Sequence, residues 1–348
     1  MQDQDPQVTL VVVPRDRFSF TAESLENIYE NTDFPFKLVY IDGNSPAQIK
    51  SYLEAQAQAK KFQLVRKDYY LSPNQARNIG LRYVNTKYLV FIDNDVVVSP
   101  GWLKHLVQCA EETDAAVVGP LICQNTPVHE VIHYAGGKAN VWTESKDGQI
   151  LWRVKAQENY HKCKRVTDVR DRLQRQKTEV IEFHCVLART EIFKQIGPLD
   201  EAMLSTKEHV DFYLTVTQAG GSVYFEPSSI ITFKTHENPG RFNEGPPLEW
   251  SDMPFYMLRW SDAWEISSLE HFRQKWNVIH DDWLFQSRYK RIGWRRRVTF
   301  IRYLSLKLTF GGHNRRLLEK ILSRLEKVLN RYLTYQYARK HSAISTQQ

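Results

Sequence analysis

The chain's first regular feature is an unbroken apolar and β-branched run, Val8–Val13, closed by Pro14. So short and continuous a run predicts a strand buried on both faces. Next comes a helical pattern in which Leu25, Ile28 and Tyr29 share one face. Residues 38–41 predict a second strand, stopped by Asp42-Gly43-Asn44, with a helix from about Pro46 after it. Residues 62–65 read as a third strand, 74–84 as helix, and 88–92 as a fourth strand ending in Asp93-Asn94-Asp95. Strands alternating with helices at this spacing predict an α/β fold, its sheet mostly parallel with right-handed crossovers. Such sheets bind ligands beyond the carboxyl ends of their strands. Pro14, Asp42 and the Asp93–Asp95 pair all fall there, so one cleft can collect them.

The middle of the chain is less regular. Residues 152–178 are charged and polar, with no apolar stripe wide enough to form core, and predict a surface insertion over about 150–178, a lid or an acceptor lip. Patterning resumes with a strand at 180–187, a helix at 190–196 stopped by Gly197-Pro198, and a helix at 209–219 stopped by Gly220-Gly221. Two β-runs follow, at 223–225 and 230–233. Beyond Pro239, tryptophan, arginine and amphipathic helix dominate. From Leu317 through Ile321, Leu325 and Val328 to Tyr332, apolar residues recur at three- and four-residue steps, giving one apolar face. The expected division is an α/β domain over 1–240 and a basic, mainly helical region over 241–348.

Composition narrows the setting. The 348 residues, 42% hydrophobic, are enough for one large core or two modest ones. Cys109, Cys123, Cys163 and Cys185 show neither C-x-x-C spacing nor a neighbouring His cluster, so they predict reduced thiols in a cytosolic protein. The polar, acidic start MQDQDPQ predicts no secretory signal, and no run is long and apolar enough to span a bilayer. The expected location is the cytoplasm, or the inner face of a membrane. From Gln286 onward there are sixteen Lys and Arg against two acids, so the rest of the chain carries −7 although the whole carries +7. A basic tail on an acidic body predicts an anionic partner: a phospholipid surface, a phosphorylated acceptor or another subunit. The RIGWRRR cluster at 291–297 suits peripheral contact with an anionic membrane, and the 317–332 stripe suits a homo-oligomer contact equally well. No nucleic-acid motif accompanies the charge, and nucleic acid is not expected as a partner.

Asp93 and Asp95 carry the candidate chemistry. Breaking the bond between a sugar and a nucleoside diphosphate requires the leaving diphosphate to be neutralised, and a hard divalent cation on one or two carboxylates does this. Asp-Asn-Asp by itself is also a common turn or cap. What distinguishes it here is the buried strand before it and the order of motifs around it. These are Val-Val-Val-Pro at 11–14, Tyr-Ile-Asp-Gly-Asn-Ser at 40–45, Asn-Gln-Ala-Arg-Asn-Ile-Gly at 74–80 and Phe-Ile-Asp-Asn-Asp at 91–95. Later come FHCVLARTEIFKQIGPLDE at 183–201, Glu-His-Val-Asp at 208–211, Gly220, Tyr-Phe-Glu-Pro at 224–227 and His236.

In that order the motifs resemble the inverting family 2 glycosyltransferases of the GT-A fold, over roughly residues 7–238. The resemblance implies a nucleotide-sugar donor, probed most naturally as a UDP-sugar, a hydroxyl acceptor such as a glycan or lipid-linked sugar, and Mn2+ or Mg2+. It implies that Pro14 and Asp42 line the nucleoside site, that Arg77 approaches the donor phosphates and that Asp93 meets the ribose or the metal. Asp95 and His236 would complete the metal site. The family usually places an Asp after the Glu of the catalytic segment, and this chain has His209 there. An imidazole with a pKa of about 6.5 can take a proton at neutral pH. Glu208 or His209 is therefore the expected base, with Asp211 as support.

Two other readings stand beside this one. The change at His209 also suits a catalytically weak GT-A domain that binds or scaffolds. Nucleotidyl transfer uses a similar sheet but needs a glycine-rich loop after the first strand, and residues 14–18 contain no glycine. Leu258-Arg259-Trp260 matches the end of the Q-x-x-R-W motif of processive synthases, but Tyr256 replaces its glutamine and no spanning segment flanks it. Packing of the C-terminal helices is the expectation there, as it is for Trp264, Trp276, Trp283 and Trp294.

Overall fold

In the computed structural model every residue of β1 (Val8–Val13) is buried, because helices cover both faces of the sheet it sits in. The structure describes residues 6–139, 141–146, 148–154, 158–235, 249–278, 283–309 and 314–345. After β1 come α1 (Thr21–Glu30), β2 (Phe36–Gly43), α2 (Ala47–Lys60), β3 (Gln63–Lys67), α3 (Pro73–Leu81), β4 (Tyr88–Asp93), β5 (Val96–Val98) and α4 (Trp102–Thr113). The middle contains β6 (Val117–Gln124), β7 (Ile132–Tyr134), β8 (Gly137–Lys138), β9 (Val141–Lys146), β10 (Gln149–Val154), β11 (Glu158–Asn159), α5 (Val166–Val169) and β12 (Gln176–Lys177). Then follow β13 (Cys185–Arg189), α6 (Ile192–Ile196), α7 (Glu208–Gln218) and β14 (Val223–Phe233). The rest is helical: α8 (Met253–Arg259), α9 (Asp262–Lys275), α10 (Trp283–Lys290), α11 (Trp294–Arg296), α12 (Arg302–Thr309) and α13 (Arg315–Ser345).

The main sheet runs β12-β14-β6-β13-β4-β1-β2-β3, with β5 and β7 at its margin. β1 is parallel to β2 and β4, and β2 to β3. This is the mostly parallel α/β sheet that the alternation of elements predicts. Alternate residues of β1 face opposite layers. Leu10 and Val12 pack with Leu25, Ile28 and Trp102, while Val11 and Val13 pack with Ala76 and Phe212. α3 begins at a capping box: Ser72 Oγ accepts from the Gln75 amide and Gln75 Oε1 from the Ser72 amide, with Pro73 in the first turn.

Three expectations change in detail. Of the strand expected at 180–187 only the last three residues are strand, in a β13 that runs on to Arg189 and pairs antiparallel with β4. The two runs expected at 223–225 and 230–233 are one strand, irregular between Glu226 and Ile230. The polar segment before Thr178 is tied to the body. Val169 is buried, Gln176 and Lys177 extend the sheet beside Phe225 and Tyr224, and Arg175 bridges Glu226 and Glu112. Its apolar anchors are too widely spaced to register as a stripe. The C-terminal helices close on the loop after β1: Asp252 accepts from the Phe18 amide at 2.6 Å, and the rings of Phe255 and Phe18 lie 5.1 Å apart.

Candidate active site

The parallel neighbours β2, β1 and β4 end side by side, and this brings Asp42, Pro14 and Asp93 to one edge. Asp42 is buried, accepts from the Ser45 amide and hydroxyl at 2.9 Å each, and is paired with Arg66. Pro14 is also buried and lies against Gly43, where an added Cβ would stand 3.3 Å from its Cγ.

Asp93 is fully buried and held by cations. Arg15 NH1 is 3.1 Å from Oδ2, and Arg77 NH2 is 3.4 Å from Oδ1. Burial pulls Arg77 down to about 10, so it remains charged at neutral pH. Arg15 is raised: its burial acts downward, but Asp93, Asp16 and Asp95 outweigh it. Arg77 is completely enclosed, on the ring of Phe183 at 4.0 Å and bonded to Asn74. Where the resemblance implies an approach to donor phosphates, the structure shows the guanidinium bracing Asp93 from behind. The neighbouring Asn78 clamps the later G-x-x-D-E turn, exchanging bonds with Leu199 and donating to Glu201 at 2.9 Å. Two motifs more than a hundred residues apart are thereby locked together.

Asn94 points away from its neighbours, accepting from the Arg15 amide and donating to Arg17 O. Asp95 is 1% exposed, and its Oδ1 has no hydrogen-bond partner among the described residues. Burial, with Asp93 and Asp16, pushes its carboxyl well above the ordinary value. Beside the pair stands His184, which sequence reasoning did not single out. It immediately precedes β13, where the antiparallel pairing with β4 brings it against Asp93: the Asp93 amide donates to His184 O at 3.0 Å, and His184 Nδ1 is 3.2 Å from Asp93 Oδ2. One ligand atom each from Asp93, Asp95 and His184 lie within 4.8 Å of one another. Burial lowers His184 well below the ordinary histidine value, so it is neutral, as a metal ligand must be. An unpaired buried carboxylate oxygen beside a neutral imidazole and a second carboxylate fits a divalent cation. His236, expected to complete this site, lies outside the described residues.

The Glu-His-Val-Asp segment at 208–211 opens α7. Glu208 is buried against Arg259 NH2 at 3.1 Å. Burial pushes its carboxyl up, yet Arg259, His209, Arg77 and Arg15 together carry it below the ordinary value. Asp211, expected beside His209 as support, is bonded to the C-terminal helices. It accepts from Trp276 Nε1 at 2.7 Å and pairs with Lys275, fastening α7 to the C-terminal helices. His209 is half-buried and lowered by that burial, against the opposing pull of Glu182 and Glu208. Glu182 and His133 stand on the same side, 4.0 Å apart. The Arg-Trp pair set aside as packing also reaches the site: Arg259 holds Glu208, and Trp260 Nε1 donates to Asp16 Oδ1 at 3.1 Å. The dipeptide itself was the available signal.

An α/β sheet of this order, with paired aspartates at the carboxyl end of a central strand and a helical region packed on its first loop, is a GT-A domain. The family model for glycosyl transferase family 2 matches residues 9–197, more than half of the chain. The chain belongs to glycosyl transferase family 2. It is similar to an uncharacterized glycosyltransferase of Rickettsia bellii (strain RML369-C), 26% identical over 92 residues that cover 26% of this chain and 13% of that protein. It is also similar to a hyaluronan synthase of Pasteurella multocida, 26% identical over 104 residues, 29% of this chain and 10% of that protein. The chain thus spans only a small part of the length of these relatives. Among solved structures it resembles GalNAc-T7 with UDP, GalNAc and Mn2+, at 17% identity and a TM-score of 0.50, over 83% of this chain and 58% of that one. Among the described residues no helix is long and apolar enough to cross a membrane.

Proposed function

We propose that the chain is a metal-dependent, inverting glycosyltransferase that moves a sugar from a nucleoside diphosphate, UDP foremost, to an acceptor hydroxyl. The observation that carries this reading is the enclosed group of Asp93, Asp95 and His184, with the orphaned Asp95 Oδ1. Family membership and the likeness to a structure holding UDP, GalNAc and Mn2+ support it. Pro14 and Asp42 would line the nucleoside end, and Arg77 would act through Asp93. Asp93, Asp95 and His184 would hold Mn2+ or Mg2+, which when bound supplies positive charge to the leaving diphosphate.

His209 is the base in this reading. Glu208 is committed to Arg259 and Asp211 to Lys275 and Trp276, whereas His209 stands half-buried in its neutral form. Its imidazole takes the proton of the acceptor hydroxyl as the acceptor oxygen bonds to the anomeric carbon. The bond from that carbon to the diphosphate oxygen breaks on the opposite face, and the electron pair departs with the diphosphate. One in-line displacement inverts the centre.

The test is a thermal-shift screen of nucleotide-sugars with and without Mn2+, followed by donor turnover. A donor present at about a hundred times its Kd stabilises the fold by about 2.7 kcal/mol. Asp95→Ala is expected to abolish the Mn2+-dependent part of that shift and the turnover. Full metal-dependent turnover by Asp95→Ala would refute the assignment, and donor binding without turnover on a broad acceptor panel would indicate a binding module.

A further inference from the structure

The last long helix is built inside out. The side chains that α13 turns toward the body are polar. Glu326 accepts from Arg296 Nε at 2.6 Å, Asn330 donates to Met257 O at 2.9 Å, and Tyr337 donates to Tyr70 O at 2.7 Å. Thr334, on the same face, is buried. The apolar stripe that the sequence places between 317 and 332 faces outward instead. Leu317, Ile321, Leu325, Val328, Leu329 and Tyr332 are 48% to 70% exposed. The adjoining α12 adds Leu308, also exposed. Of seventeen large apolar side chains exposed among the described residues, thirteen lie between Trp294 and Tyr335. Scattered apolar exposure is ordinary, but a concentration of this kind marks a contact surface.

Charge identifies the occupant. α13 carries eight Lys and Arg against two acids, and both acids are already bonded within the chain: Glu326 to Arg296, and Glu319 to Arg315 and Ser305. Arg324, Lys327 and Arg331 are exposed beside the apolar stripe. A second copy would bring the same net positive charge to the contact, which opposes association. An anionic bilayer answers both features, with acyl chains for the stripe and headgroup phosphates for the flanking cations.

We propose that α13 and α12 dock in the plane of an anionic phospholipid surface. With 31 residues α13 would lie along about 46 Å of that surface. It packs against α8 and α9, and the segment running from α8 into α9 supplies Arg259 and Trp260 to the site. Docking would therefore hold the cleft at a fixed height above the lipid.

The experiment is co-sedimentation of the full chain with vesicles of phosphatidylcholine alone and of phosphatidylcholine with about one-third phosphatidylglycerol. Binding is expected only to the anionic vesicles, and should be lost at about 1 M salt, where the screening length is about 3 Å. Arg324→Gln with Lys327→Gln should weaken it about 25-fold, about fivefold per charge. Leu325→Asp with Val328→Asp, at positions more than 60% exposed, should abolish it without changing the melting temperature. Equal binding to neutral vesicles, no binding to anionic ones, or wild-type binding by the aspartate variant overturns the proposal. So does a dimer in sedimentation velocity that Leu325→Asp dissociates in a chain that ignores lipid; that result would assign the face to a second copy. None of these readouts uses donor turnover, so this proposal and the transferase reading fail separately.

Discussion

Gly80→Ala tests whether the site is positioned by backbone proximity. A Cβ at residue 80 would stand 2.2 Å from Val11 Cγ1, 3.4 Å from Val11 Cβ and 3.5 Å from Ile41 Cγ1. Carbon atoms rest at about 3.5–4.0 Å, so the closest contact is short by more than 1 Å. Val11 is fully buried between β1 and α3 and has no solvent to move into. Either its rotamer or the seat of the helix must give. Overpacking of this kind costs about 1–3 kcal/mol, and the severity here argues for the upper end. Replacing glycine by alanine inside a helix contributes about 1 kcal/mol in the other direction. The expected net result is a loss of about 2 kcal/mol, read as a lower urea midpoint at unchanged slope. Arg77 lies one turn earlier on the same helix, so a displaced α3 also loosens its brace on Asp93, and Mn2+-dependent donor affinity should fall with stability. Val11→Ala added to Gly80→Ala removes the clashing atoms. The pair should then be more stable than the sum of the single changes by at least about 1 kcal/mol. A urea midpoint that rises in Gly80→Ala alone would mean helix propensity prevails and that α3 does not sit so close to β1.

Arg259→Met would leave the buried Glu208 carboxylate without its cation, and is expected to cost about 3–5 kcal/mol in chemical denaturation. Because the folded Glu208 pKa lies below the ordinary value of 4.5, its pairing contributes stability above that pH and loses it as pH falls through the lowered value. In Arg259→Met burial loses its largest counterweight, with only His209, Arg77 and Arg15 still opposing it, so the carboxyl rises: the variant should gain stability, relative to wild type, as pH falls from about 6 to about 4. A parallel pair of melting curves across that range would show that Arg259 does not hold the charge. His209→Ala is expected to lower kcat by about a hundred- to ten-thousandfold with little change in donor KM, measured by release of nucleoside diphosphate. Glu182→Gln with the full loss, and His209→Ala with none, would move the base to Glu182.

Much of the fold was legible locally. Continuous apolar runs ending in Pro14, Asp42 and Asp93 announce strands buried on both faces, because only a sheet covered by two layers has no use for alternation. The helix expected from residue 74 begins at Pro73, where Ser72 and Gln75 satisfy its first turn within four residues. The site was half legible for the same reason. Asp93 and Asp95 sit at the end of one strand, whereas His184 joins them only because β13 runs antiparallel to β4. Nothing near residue 184 encodes that pairing. Glu208 and Asp211 looked like free carboxylates beside His209. Their partners, Arg259 and Lys275 with Trp276, arrive from more than fifty residues away and engage both carboxylates in the folded chain.

By itself, then, the sequence determined the alternation of strands and helices, the aspartate pair at a strand's end and the existence of an apolar stripe on the last helix. These follow from period and polarity, which depend on neighbours in the chain. The tertiary structure alone decided that His184 completes the aspartate group, that Arg77 braces Asp93 from behind, and that the stripe on α13 faces outward. A helical period shows that a face is apolar but not where it points. Asn330, Glu326 and Tyr337, bonded to groups far away in the chain, turned it away from the core.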